Sequence, residues 1–128
     1  MGYEIKLYVG ESATWNKPDE NGKLEVYFSV WAMVDVCKPS YHSNLTRLSY
    51  KNEDPDKSWY FYGADGNTPL TKDQYGDRFK PLPIADVIKA LQKDTKGDDF
   101  RRYKWALDTL KSIQKNGGAN AEVILFGY

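Results

Sequence analysis

Cys37 and His42 stand five positions apart and are the only cysteine and the only histidine among 128 residues. A thiol and an imidazole in contact can act as nucleophile and base, provided that a third group orients the base. No third group is suggested by the sequence. The plainer reading is a half-buried thiol at a strand end, before Pro39, and a surface imidazole. Zinc is further away still, since one Cys and one His fall short of the usual four ligands.

Asp65-Gly66-Asn67, followed by Asp73 and Asp77, has the oxygen-rich look of a calcium loop. The register fails. Pro69 occupies the third ligand position, Leu70 stands where the loop needs glycine, and no Glu closes it. Asp-Gly-Asn reads more simply as a tight turn. Gly63, Gly66 and Gly76 form neither G-x-G-x-x-G nor a P-loop, and Gly117-Gly118 follows a helix instead of opening one. The acidic residues are scattered through loops, so no carboxylate pair for glycoside chemistry can be named. The expectation is a chain with no catalytic residue, no metal and no cofactor.

Composition narrows the remaining classes. Lys plus Arg equals Asp plus Glu at 18 each, so the net charge is zero. That balance argues against a nucleic-acid partner held through phosphates. Hydrophobic residues make up 41% and aromatics 15%, including ten Tyr and four Trp. Such a chain buries a core, and its aromatics are the types favoured at interfaces. A lone cysteine suits a reducing compartment. No apolar run approaches a membrane span, and the N-terminal residues lack a signal-like segment. A single domain in the cytoplasm is expected.

The elements that must position these residues follow from periodicity. Tyr3 to Val9 alternates, with Ile5, Leu7 and Val9 on one face, which predicts a strand. Leu24 to Cys37 is the longest strand signal and predicts an antiparallel partner for the first. Trp59 to Tyr62 reads as a short aromatic strand, and Ala64 to Asp77 as a loop or loose hairpin. Leu45 and Leu48 anchor a helical turn. A helix begins near Ile84 after Pro81 and Pro83. A second, opened by Asp98 and Asp99, carries Tyr103, Ala106, Leu107, Leu110 and Ile113 as its apolar stripe and ends at Gly117-Gly118. Glu122 to Tyr128 closes the chain as a strand beside the first. The predicted fold is α+β: an antiparallel sheet of three to four strands with two helices packed on one face.

Counting faces gives one further expectation. The helices should cover Ile5, Leu7, Val9 and the even positions of the long strand. The opposite face would then carry Tyr8, Tyr27, Trp31 and Met33, with Ile124 and Phe126. That is too apolar for water alone. The segment from Lys38 to Asp77 folding over it, a homodimer, or a foreign ligand would each satisfy it. On the second helix, Arg101, Arg102 and Lys104 form a basic outer side beside Trp105, which lies off the apolar stripe. Asp99 and Asp108 dilute that charge, and a solvated helix face explains it equally well.

Several runs together resemble a known group. They are Tyr41 to Tyr50 (YHSNLTRLSY), Asp65 to Asp77 (DGNTPLTKDQYGD), Pro81 to Ile84 (PLPI), Arg101 to Leu107 (RRYKWAL) and Val123 to Tyr128 (VILFGY). Across its length the chain resembles small accessory proteins of tailed bacteriophages. The resemblance implies a phage-encoded protein acting in the host-cell cytoplasm, and small phage proteins of this kind often block host machinery, including CRISPR and other defence systems. It brings no catalytic residues.

The expected function is therefore a non-catalytic binding protein that inhibits or redirects a bacterial host or defence protein. Its candidate contact residues are Tyr27, Trp31 and Met33 on the sheet, with Arg101, Arg102 and Trp105 on the helix. The alternative is a sponge for a small molecule or nucleotide, with Tyr and Trp as stacking walls and Asp65, Asn67 and Asp73 as polar contacts.

Overall fold

The computed structural model describes residues 4–37, 43–63, 65–95 and 101–128, with Cys37 and Arg101 described by backbone alone. Its elements in chain order are β1 (Ile5–Ser12), β2 (Leu24–Cys37), β3 (Lys57–Tyr62), β4 (Pro69–Leu70), β5 (Leu82–Pro83), α1 (Ile84–Asp94), α2 (Arg101–Lys115) and β6 (Glu122–Gly127). The chain is α+β with two helices, as the periodicity implies. The sheet, however, has six strands in the order β4-β3-β2-β1-β6-β5. It is mixed, because β3 runs parallel to β2 while the other pairs are antiparallel. The expectation of three to four antiparallel strands is corrected on both counts. The two-residue strands β4 and β5 are too short to leave a periodic signal, and strand direction is set by a distant pairing rather than by local sequence.

Both helices form where the apolar spacing places them. Pro83 precedes α1 with φ −56°, already near the helical value, and Asp86 sits in the first turn. Ile84, Val87, Ile88 and Leu91 recur along one stripe and are buried. In α2, Tyr103, Ala106, Leu107 and Leu110 make the corresponding stripe. Gly117 then takes φ +106°, and the Gly118 N–H returns to the Ile113 carbonyl, ending the helix. The expected opening residues Asp98 and Asp99 lie outside the described residues.

Two cores result, one on each side of the sheet. Beneath the helices lie Ile5, Leu7, Val9, Val36, Val123 and Leu125, together with Leu45 from a turn over 44–47. The Asp94 carboxylate fastens that turn to the end of α1 by accepting the Asn44 and Leu45 N–H groups. On the other face Phe28, Phe61, Phe79, Ile124 and Phe126 pack together. Each of these phenylalanines contributes roughly 1.5–3 kcal/mol by its burial.

The even positions of β2 do not all face the helices, contrary to the expectation from strict alternation. The β1–β2 register shifts between Val9 and Gly10. Leu7 pairs with Val34 and Val9 with Ala32 before the shift, while Ser12 pairs with Phe28 after it. Val34 and Val36 therefore pack under the helices, whereas Phe28 enters the second core. A β-bulge of this kind moves every following side chain to the opposite face. Gly10 permits the close approach, because a Cβ there would stand 1.8 Å from the Ser29 carbonyl oxygen.

Candidate functional site

The bulge separates residues that the sequence places together. Ile124, Phe126 and Tyr8 do share the second face, and Met33 is the cross-strand partner of Tyr8. Tyr27 belongs elsewhere. It neighbours Phe28 and so points to the opposite side, where it meets Tyr60 and Tyr62 of β3. Its expected place beside Met33 is corrected by the register shift.

Around Tyr27 the aromatics form a continuous strip. Trp15 lies 6.3 Å from Tyr27, which lies 5.6 Å from Tyr60 and 6.1 Å from Tyr62, ring centre to ring centre. Tyr60 and Tyr62 meet edge to face at 6.0 Å. Two elements build this strip: β3 pairs in parallel with the start of β2, setting Tyr27 opposite Tyr60, and alternation along β3 brings Tyr62 to the same side. Tyr27 and Tyr60 are half-buried within the strip. Trp15 is 71% exposed and Tyr62 48%. The Tyr60 phenol is held above its ordinary ionisation range, first by desolvation among these rings and then by Tyr62, Glu25 and Tyr27. Sequence reading missed Trp15, Tyr60 and Tyr62. The alternation within Trp59–Tyr62 carried a signal for the two tyrosines, but nothing local marked Trp15.

The remaining contact candidates are dispersed. Trp31, at 48% exposure, is the extra residue of β2 at the bulge, between Ala32 opposite Val9 and Val30 opposite Gly10, and Met33 is 49% exposed. Trp105 is 60% exposed on the outer side of α2 beside exposed Arg102, while the Arg101 side chain lies outside the described residues.

The second face is roofed in large part by the segment after β4. Phe79 reaches the core, the Gln74 N–H donates to the Gly127 carbonyl, and the Tyr75 hydroxyl donates to that of Tyr128. What stays open is a groove of about 440 Å³ between this segment and the sheet, with Tyr8, Phe61 and Phe126 among its walls.

The acidic candidates serve the backbone. The Asp65 carboxylate accepts the N–H groups of Asn67 and Thr68 and the Thr68 hydroxyl. Those bonds, the Thr68 hydroxyl first, draw its pKa down to about 2. Asn67 is exposed in the same turn. Asp73 is buried, and it accepts the N–H groups of Tyr75, Asp77 and Gly127. Among the described residues no group of three His, Cys, Asp or Glu side chains could hold a metal ion. The Cys37 side chain and all of His42 lie outside the described residues, and the nucleophile–base pairing with them. No described helix is long and apolar enough to cross a membrane. No family model, curated protein or solved structure matches the chain.

Proposed function

We propose that this chain is a non-catalytic binding protein that inhibits or redirects a bacterial host or defence protein, such as a CRISPR component, in the manner of a phage-encoded accessory protein. The supporting observation is the continuous strip of Trp15, Tyr27, Tyr60 and Tyr62, whose two ends, Trp15 and Tyr62, are exposed. Tyr and Trp offer large contact area with few rotamers to freeze, and their polar atoms pair at the rim of an interface. Tyr27 is the sequence-derived contact residue that belongs to this strip. Trp31, Arg102 and Trp105 are contacts of secondary standing, because no described ring packing joins them to it.

The test is phage plating on bacteria that express the chain and carry an active CRISPR system directed at that phage. Plating should rise at least roughly tenfold over cells lacking the chain, as loss of one essential contact in the blocked machinery would allow. The double substitution Trp15→Ala and Tyr62→Ala should abolish the rise while leaving the far-UV spectrum unchanged. If plating stays flat with the unaltered chain across several defence systems, the reading fails.

A further inference from the structure

The sheet guards its two outermost edges and leaves a third stretch open. The outermost strands β4 and β5 are two residues long, and each contains a proline, Pro69 and Pro83. Short edges that carry proline discourage another strand from pairing. The long strand β2 is different. It pairs with β3 only over Leu24–Tyr27 and then runs on to Cys37 with β1 along one side. Among the described residues no strand pairs with its other side from Val30 onward, and no loop backbone bonds to it.

Backbone alternation fixes which groups face that opening. Glu4 and Tyr128 exchange both of their N–H···O bonds, so Lys6 and Tyr8 in turn bond to β6, while Leu7 and Val9 turn toward β2. Val34 and Ala32 are their partners there. Met33, between the two, therefore directs its N–H and C=O away from β1 and into the open side. The side chains around it are apolar, and Val30, Trp31 and Met33 are all exposed. From Phe28 to Val34 the strand carries no charge, no proline and no glycine. The bulge at Trp31 interrupts this edge once, and Ala32 to Asp35 keep an unbroken register beyond it.

We infer that this edge pairs antiparallel with the same edge of a second copy, joining the two sheets across a two-fold axis at Met33. An isologous contact needs a surface that complements itself. An uncharged apolar strand does so, because antiparallel pairing with its own copy sets no like charges opposite each other. Centred on Met33, the pairing lets the two Met33 residues exchange both backbone bonds and puts Ala32 opposite Val34 and Trp31 opposite Asp35 across the axis. The same contact takes the exposed Trp31 and Met33 side chains of both copies out of water. The pairing uses none of Trp15, Tyr27, Tyr60 and Tyr62, so it stands or falls apart from the partner-binding reading.

The experiment measures absolute mass by light scattering on the full chain over a wide concentration range, with amide hydrogen exchange at both ends of that range to locate the contact. The mass should rise from 14.7 kDa to twice that value as the concentration increases. The Met33 amide should exchange readily in dilute solution and slow by at least roughly tenfold as the dimer fills, whereas the Val34 amide, bonded to β1, should be protected at both ends. Met33→Lys sets a solvated charge on the edge and should weaken the dimer at least roughly tenfold. Trp105→Lys, on the outer side of α2, should leave the dimer unaltered. The exchange measurement needs no substitution, so it decides the matter even where the lysine variant loses its fold. A mass of 14.7 kDa at every concentration, a dimer indifferent to Met33→Lys, or a dimer whose Met33 amide still exchanges freely would each overturn the assignment.

Discussion

Asp73 and Gly127, 54 positions apart, are joined by a bond from the Gly127 N–H to the Asp73 carboxylate, while the Gly127 carbonyl accepts the N–H of Gln74. The last strand is thereby stitched to the segment that roofs the second core. A side chain whose type suggested a ligand in fact holds the fold together.

The first prediction concerns that carboxylate. Asp73→Ala leaves the N–H groups of Tyr75, Asp77 and Gly127 without their acceptor. At about 1 kcal/mol for each lost bond, urea denaturation should show a loss of roughly 2–3 kcal/mol. Asp73→Asn keeps the oxygen that serves Tyr75 and Asp77 and should recover most of that loss. An alanine variant as stable as the parent would contradict the structural role.

Gly10 gives a steric prediction. A Cβ at this position would stand 1.8 Å from the Ser29 carbonyl oxygen, so Gly10→Ala must open the β1–β2 pairing at the bulge. The expected cost is about 3 kcal/mol or more, at the upper end for overpacking. Hydrogen exchange should show the opening centred on Gly10 and Ser29, and an unchanged exchange pattern would place the strain elsewhere.

Asp65 is a reporter of its own turn. With its pKa drawn down to about 2 from 3.8, it stabilises the folded chain above the ordinary value, and that contribution is lost as the pH falls through the folded one. Thr68→Val removes the hydroxyl bond that is the largest cause. Carboxyl NMR titration should then find the Asp65 pKa moved back toward 3.8, while a value still near 2 would assign the shift to the backbone donors alone.

The tyrosines predict behaviour in alkali. Tyr8 ionises above its ordinary 10.0, because burial and then the Asp35 charge disfavour the phenolate. Its contribution to stability is therefore present in full below that value and declines as the pH rises through it. Denaturation midpoints taken between about pH 9 and 11 should fall more steeply for the parent than for Tyr8→Phe. Parallel slopes would mean that the Tyr8 phenol titrates alike in the folded and unfolded chains.

The sequence by itself determined the elements whose signals are local. Apolar residues at helical spacing after Pro83 define α1, the stripe from Tyr103 to Leu110 and the Gly117 turn define α2, and alternation marks β1, β2 and β3. The pairing of β6 beside β1 followed from topology, since a final strand after two covering helices has few other places to go. The composition of the second face was also partly legible, because Tyr8, Ile124 and Phe126 hold their phase within uninterrupted strands.

Only the tertiary structure decided where the long strand changes sides. A bulge leaves the alternation of β2 intact as written while rotating half of it, so Tyr27 and Met33, in phase in the sequence, end on opposite faces. The parallel union of β2 with β3 and the bond from Asp73 to Gly127 join residues far apart in the chain. Such contacts depend on the closure of long loops and on the packing of both cores at once, which no local period encodes. The aromatic strip is a product of that assembly, and its members acquire a common chemistry only when the sheet is complete.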